Sequence, residues 1–304
     1  MSDTTPEKES PTTHFERVLL LSTDEFPPLS ATVRAEFAAV SVPRPTPEPN
    51  TDHYLVVELG RSQKTLLTSL SKEEVGRGFH EQMYGVVLAD GLGPAGEVAS
   101  RVAVSALLNL TLRYARWNVR VDDRIAPEIV ERIVHFYRQI DSALVTVNRA
   151  AVLPLQTTLT AIASGGRDLF FAHTGHSRAY LFRAGELIQL TRDHTHMVRR
   201  SAVRPGLVDL TNVATDMHHI LTDALGAGTA DPQIDIERFT LADGDRLLLC
   251  TNGLTDVVGD QAIAEVLSSP RALQDQCDTL TVLAQEGGTV DDVTAVLARY
   301  RIPE

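Results

Sequence analysis

Tyr84-Gly-Val-Val-Leu-Ala-Asp90-Gly91-Leu-Gly-Pro-Ala-Gly-Glu-Val-Ala-Ser100 runs an apolar segment directly into an acid and a glycine turn. Residues 86–89 form a short strand that can be buried on both faces, and a helix-compatible stretch begins at residue 95, so Asp90 stands at a strand-to-helix corner. Glycines 91, 93 and 96 let backbone groups come close to a ligand. Taken alone, the corner has two readings. Asp90 either holds a ligand or is a turn residue that caps the helix behind it.

Downstream of the corner, two long helical patterns cover about 95–117 and 126–150. In the second, Ile129, Ile133, Val134, Phe136, Tyr137 and Ile140 return at helical spacing. After Pro154 the grammar changes to short strands at 157–163, 168–173, 178–182 and 187–190. Gly165-Gly166, Gly175 and Ala184-Gly185 interrupt them, as in an antiparallel meander. Residues 192–230 are irregular and rich in His, Arg and Asp, which suggests a polar flap. Strands at 234–241 and 246–250, helices at 260–268 and 270–286, and a last strand at 293–300 complete the pattern.

Upstream, 53–59 reads as a strand, 63–70 as a further strand or its continuation, and 71–80 as a polar loop. Residues 1–14 are expected to be a disordered leader. Residues 15–49 form an N-terminal segment ending in the proline-rich connector 43–49, and the main domain runs from 50 to 301. The order of strands and helices gives an α+β plan, with helices packed on a largely antiparallel core.

The formal charge of −12 argues against a nucleic-acid backbone or an anionic membrane surface as the main partner. Cys250 and Cys277 are too few for a disulfide framework and have no zinc-like spacing, and no apolar run approaches membrane-spanning length. These features place the expected location in the cytoplasm.

Acids recur at strand ends in Asn50-Thr-Asp52, Asp90-Gly91 and Gly287-Gly-Thr-Val-Asp291-Asp292. Mg2+ and Mn2+ prefer such oxygen donors, and paired ions can activate water and clamp a phosphoryl group. Each acid alone is equally readable as a turn or cap residue, so their convergence has to come from the fold.

The order of motifs resembles the metal-dependent protein phosphatases, the type 2C serine/threonine family, over most of residues 44–301. Asn50-Thr51-Asp52 resembles its Asn-Glu-Asp motif, and Val87-Leu-Ala-Asp90-Gly91-Leu-Gly its Asp-Gly-Met-Gly corner. Gln156-Thr157-Thr158-Leu159 is similar to its Gly-Thr-Thr strand, and Gly175-His176-Ser177-Arg178 to its Gly-Asp-Ser-Arg hairpin. Thr251-Asn252-Gly253-Leu resembles Ser-Asp-Gly-Leu, and Asp291-Asp292-Val-Thr294 resembles Asp-Asn-Ile-Thr. The resemblance implies a central antiparallel β-sandwich flanked by helix pairs, four layers in the order αββα, with two Mn2+ or Mg2+ ions at one end. By position it implies that Asp90 bridges both ions, that the Gly91 carbonyl and Asp52 serve one, and that Asp291 with Asn252 serves the other. Water activated there attacks phosphorus directly, which makes Asp52, Asp90 and Asp291 the catalytic set, and residues 192–230 the flap beside it.

Two implied ligands are altered: Asn252 stands for an Asp, and His176 for the Asp linked to a third metal. Asn keeps a carbonyl donor but loses a charge, and His176 suits Mn2+, Fe2+ or Zn2+ if it ligates. His173, three residues earlier on an extended strand, faces the other way and is a poor co-ligand. Arg44 is the nearest candidate to grip phosphate. Two functions follow: a phosphatase acting on phosphoproteins, the substrates of a serine/threonine kinase, or a catalytically impaired phosphatase-like regulatory or binding module. A third reading takes Gly91-x-Gly93-x-x-Gly96 as a dinucleotide fingerprint, which requires a strand, helix and parallel strand around it.

Overall fold

The computed structural model describes residues 33–70, 79–114, 125–195, 221–228 and 231–302. Eleven strands and five helices are described: β1 (Arg34–Val42), β2 (Asp52–Gln63), β3 (Phe79–Leu92), α1 (Gly96–Tyr114), α2 (Ile125–Asn148), β4 (Gln156–Thr157), β5 (Leu159–Gly165), β6 (Asp168–Thr174), β7 (Arg178–Arg183), β8 (Glu186–Gln189), β9 (Asp235–Thr240), β10 (Arg246–Cys250), α3 (Asn252–Thr255), α4 (Asp260–Ser268), α5 (Leu273–Glu286) and β11 (Val293–Arg301). One sheet has the order β1-β11-β10-β7-β8. The other has the order β2-β3-β5-β6-β9, with β4 added at the end of β3.

Pleat alternation explains why the central strands read as unbroken apolar runs. Val86 and Leu88 of β3 face the opposite sheet, where Leu247 and Leu249 of β10 and Val296, Ala298 and Tyr300 of β11 meet them. Val87 and Ala89 point outward against Ala103, Val104 and Leu107 of α1 and Phe136, Tyr137 and Ile140 of α2. On the other side Leu248, Cys250, Ala295 and Leu297 pack on Ile263 and Leu267 of α4 and Cys277 and Leu280 of α5. With both faces of each sheet covered, residues of either parity must be apolar. The result is the expected αββα sandwich.

Several local expectations shift. The strand at 86–89 is the core of a fourteen-residue strand. The expected strand at 63–70 is absent beyond Gln63, where β2 ends; Leu66 and Leu67 are 81% and 94% exposed. The meander is split between sheets, with β5–β6 a hairpin in one and β7–β8 a hairpin in the other. Gly175 makes the crossing, with φ of +119° and Thr158 packed where a Cβ would stand. The first strand of the sandwich lies outside the expected domain start at residue 50. Arg34–Val42 pairs with β11 over its whole length, from Arg34 opposite Arg301 to Val42 opposite Val293. The leader and most of the flap lie outside the described residues.

The dinucleotide reading fails on topology. β3 is antiparallel to both β2 and β5, and α1 is followed by α2 rather than by a parallel strand.

Removing residues 1–42 strips one of the two partners of β11, along nine positions. A chain starting at Pro43 is expected to melt about 10 °C or more below one starting at Val33, as measured by scanning calorimetry.

Candidate metal centre

The sandwich brings the motifs together at one edge. Asp52 at the start of β2 stands opposite Asp90 near the end of β3 in the sheet register. Asn252 opens the helix that follows β10, and Asp291 and Asp292 lie on the turn that enters β11, in the facing sheet. Glycines permit this closeness: a Cβ at Gly91 would overlap the Gly96 carbonyl, and one at Gly253 would overlap the Asp292 carbonyl.

Asp90 is buried, and its backbone is held by β4 and its neighbour. Its N–H donates to Thr158 Oγ1 at 3.0 Å, while its carbonyl accepts from Thr158 N at 2.8 Å and Thr157 Oγ1 at 2.9 Å. Desolvation, then the charges of Asp52, Asp291 and Asp292, push its carboxyl well above the usual range.

Asp52 is tied to the facing sheet by hydroxyls. Its Oδ2 accepts from Thr294 Oγ1 at 2.7 Å and Thr251 Oγ1 at 2.9 Å, and Thr294 Oγ1 is 2.7 Å from Ser41 Oγ. Its other oxygen, Oδ1, is buried and has no hydrogen-bond partner. Burial outweighs the two hydroxyls and raises the carboxyl to about 8.

The adjacent acids separate into two roles. Asp292 is buried and committed to the protein: it accepts from the Arg44 backbone N–H at 2.8 Å, from Arg44 Nε at 3.2 Å and Nη2 at 2.6 Å, and from Thr51 N and Oγ1, each at 2.8 Å. Burial alone would raise its carboxyl, but the bonds from Arg44 and Thr51 hold it below the usual range. Asp291 is 36% exposed at its side chain and lies 3.4 Å from Arg44 Nη2. Arg44 is therefore at the site, but its Nε and Nη2 are spent on Asp292 and Thr51, which counts against a phosphate grip.

Asn252 is the first residue of α3. Its Nδ2 donates to Asp256 Oδ2 at 3.0 Å, and its buried Oδ1 has no hydrogen-bond partner. His176 follows the Gly175 crossing, with Nδ1 4.0 Å from Asp90 Oδ2. His173 is buried elsewhere, between Thr160 Oγ1 at 2.9 Å and the Gly175 carbonyl at 3.0 Å, as its strand parity requires. The sequence offered little sign of the hydroxyls of Ser41, Thr251 and Thr294, or of Asp256. Three of them adjoin recognisable motifs, but the hydroxyl roles follow from contacts more than 40 residues away.

Among the described residues no group of three or more His, Cys, Asp or Glu side chains that could hold a metal ion is present. A cation here needs further donors, and two buried oxygens lack any other partner. Buried, partnerless oxygens on Asp52 and Asn252 beside a desolvated Asp90 are costly without a cation and suited to a hard divalent one. The donor set fits Mn2+ or Mg2+.

An αββα sandwich with carboxylate and amide oxygens gathered at one edge defines a divalent-cation hydrolase scaffold. The family model described as "Protein phosphatase 2C" matches residues 77–297, and the chain belongs to that family. Among curated relatives, the serine/threonine protein phosphatase PstP of Mycobacterium tuberculosis is 33% identical over 228 residues. That match takes in 70% of this chain but only 40% of PstP. The serine/threonine phosphatase stp of Listeria monocytogenes is 29% identical over 222 residues, or 70% of this chain and 82% of the relative. The solved catalytic domain of PstP in complex with two manganese ions is 29% identical, with a TM-score of 0.64 over 89% of this chain and all of that one. A serine/threonine phosphatase of S. agalactiae shares the fold, with a TM-score of 0.70, 23% identity, and coverage of 87% of this chain and 99% of that one.

The raised carboxyls set a sign. Asp52 and Asp90 hold protons more tightly folded than unfolded, so the metal-free protein loses stability as pH rises from about 4 toward 8. Mn2+ binds the deprotonated forms, so the melting-temperature gap between Mn2+-loaded and EDTA-treated protein should widen from pH 5 to pH 8. Separately, Arg44→Ala leaves Asp292 buried without its cation. It should destabilise the metal-free protein by on the order of 3 kcal/mol in urea unfolding.

Proposed function

We propose that this protein is a metal-dependent serine/threonine phosphatase that hydrolyses phosphoprotein monoesters. The observation that carries this reading is the pair of partnerless buried oxygens, Asp52 Oδ1 on the residue opposite Asp90 and Asn252 Oδ1 on the residue next to Thr251, which bonds Asp52. Family membership, and the names of relatives such as PstP, supply the reaction class and the substrate class. Asp52, Asp90, Asn252, Asp291 and the Gly91 carbonyl would hold the ions, with His176 beside Asp90 as a further donor. Bound Mn2+ or Mg2+ supplies Lewis acidity toward a phosphoryl oxygen and toward water.

The chain's own residues contribute positioning. Thr251 and Thr294 occupy one oxygen of Asp52 and leave the other for the site. Thr157 and Thr158 pin the backbone of Asp90, so its carboxylate is presented from a rigid strand end. Arg44 draws Asp292 away from the site and leaves Asp291 as the available acid.

The natural substrates in this reading are the products of a serine/threonine kinase. The protein would act in the cytoplasm; no helix among the described residues is long and apolar enough to cross a membrane. Asn252 and His176 each remove a negative charge from the family pattern, which favours a second reading as a phosphatase-like module that binds without efficient turnover.

Hydrolysis of a phosphothreonine peptide with and without Mn2+ separates the two. Turnover that requires Mn2+ and falls at least about 100-fold in Asp90→Ala is the expected result. Mn2+ binding by the wild-type protein without turnover would replace the enzyme by the module.

A further inference from the structure

Asn252 raises a problem that an aspartate would not. A carboxylate presents oxygen whichever way it turns, but a carboxamide presents oxygen on one side and two N–H donors on the other. Rotated by half a turn, Asn252 would aim N–H groups at a cation and offer it no lone pair. Something must hold the amide in one orientation.

The first turn of α3 supplies the restraint. The Asp256 backbone N–H donates to the Asn252 carbonyl at 2.8 Å, which fixes the two residues one helical turn apart on the same face. Across that turn Asn252 Nδ2 donates to Asp256 Oδ2 at 3.0 Å. An ionised carboxylate accepts and cannot donate, so it can bind only the nitrogen end of the amide. The oxygen end is left buried and without a hydrogen-bond partner.

We infer that Asp256 is a positioning residue that locks the Asn252 amide with its oxygen toward the divalent-cation site. The assignment rests on the metal-dependent reading of that site. It gives the acid at 256 a use specific to an amide at 252, since a carboxylate there would present oxygen without it.

The test is Mn2+ binding by calorimetry on the EDTA-stripped full-length protein, which needs no catalytic readout. In the wild-type background, Asp256→Ala should weaken Mn2+ binding about 10-fold, the low end of the range for groups that orient metal ligands, since Asp256 lies at the surface. Asp256→Asn, which keeps an acceptor oxygen, should lose less than about 3-fold. In an Asn252→Asp background, where oxygen is presented whichever way the side chain turns, Asp256→Ala should weaken Mn2+ binding by less than about 3-fold. The Asn252 side-chain amide signals in a nitrogen-15 spectrum of the metal-free protein should shift in Asp256→Ala, while the melting temperature stays within a few degrees.

Equal weakening by Asp256→Ala in both backgrounds would mean that Asp256 acts through fold or bulk charge, and would overturn the inference. Asp256→Asn losing as much as Asp256→Ala would mean that its charge or direct ligation matters, and would overturn it equally. A wild-type protein that does not bind Mn2+ at all would remove the inference together with the phosphatase reading, an outcome distinct from either of these.

Discussion

Four aspartates brought to one edge of a β-sandwich repel one another, and the architecture of that edge is an answer to this repulsion. Asp52 and Asp90 stand opposite each other at the ends of β2 and β3, and Asp291 and Asp292 close in from the start of β11. Folding desolvates the first two almost completely, which by itself disfavours their charged forms. One of the four is neutralised by a cation of the chain, since Asp292 is gripped by Arg44. Of the others, Asp52 keeps one buried oxygen without a hydrogen-bond partner, opposite Asp90 in the sheet register, which favours binding of a divalent ion.

The layers make this arrangement stiff. Each sheet is buried on both faces, so the strand ends cannot drift apart without opening either the inner core or a helix layer. Across the gap between sheets, Thr251 and Thr294 from one sheet donate to Asp52 of the other, while Asp292 accepts from Thr51. The same bonds that stitch the sandwich together orient the acids, so packing and function are not separable at this edge. Substitution of a hydroxyl there acts on both.

The altered ligand positions become intelligible in the same terms. Asn252 and His176 lower the negative charge of the cluster in the metal-free state, which eases the repulsion that folding must overcome. The cost falls on cation affinity and on the need to orient an amide. Asp256 and the Gly175 crossing are the local features that address orientation: the first fixes the Asn252 amide, and the second carries His176 to within 4.0 Å of the Asp90 carboxylate.

Much was written in local pattern. The run 86–89, apolar at both parities, announced a strand buried on two faces, and 246–250 and 293–300 read as strands. The helical return of Ile129, Ile133 and Ile140 announced α2, and the Asp90 corner announced the site. Helix α4 lies over the expected residues 260–268 and buries Ile263 and Leu267, one turn apart. By contrast, β1 mixes charged, small and apolar residues, and only its pairing with β11, more than 250 residues away, makes it a strand of the core. The pairing of Asp292 with Arg44, 248 residues away, was likewise not legible in a sequence where Asp291 and Asp292 are adjacent. The sequence by itself determined which chemical groups are present and which segments could be helix or strand, since those depend on neighbours along the chain. Tertiary structure alone decided which oxygen of each group is left without a partner, because that depends on contacts between distant segments that no local period records.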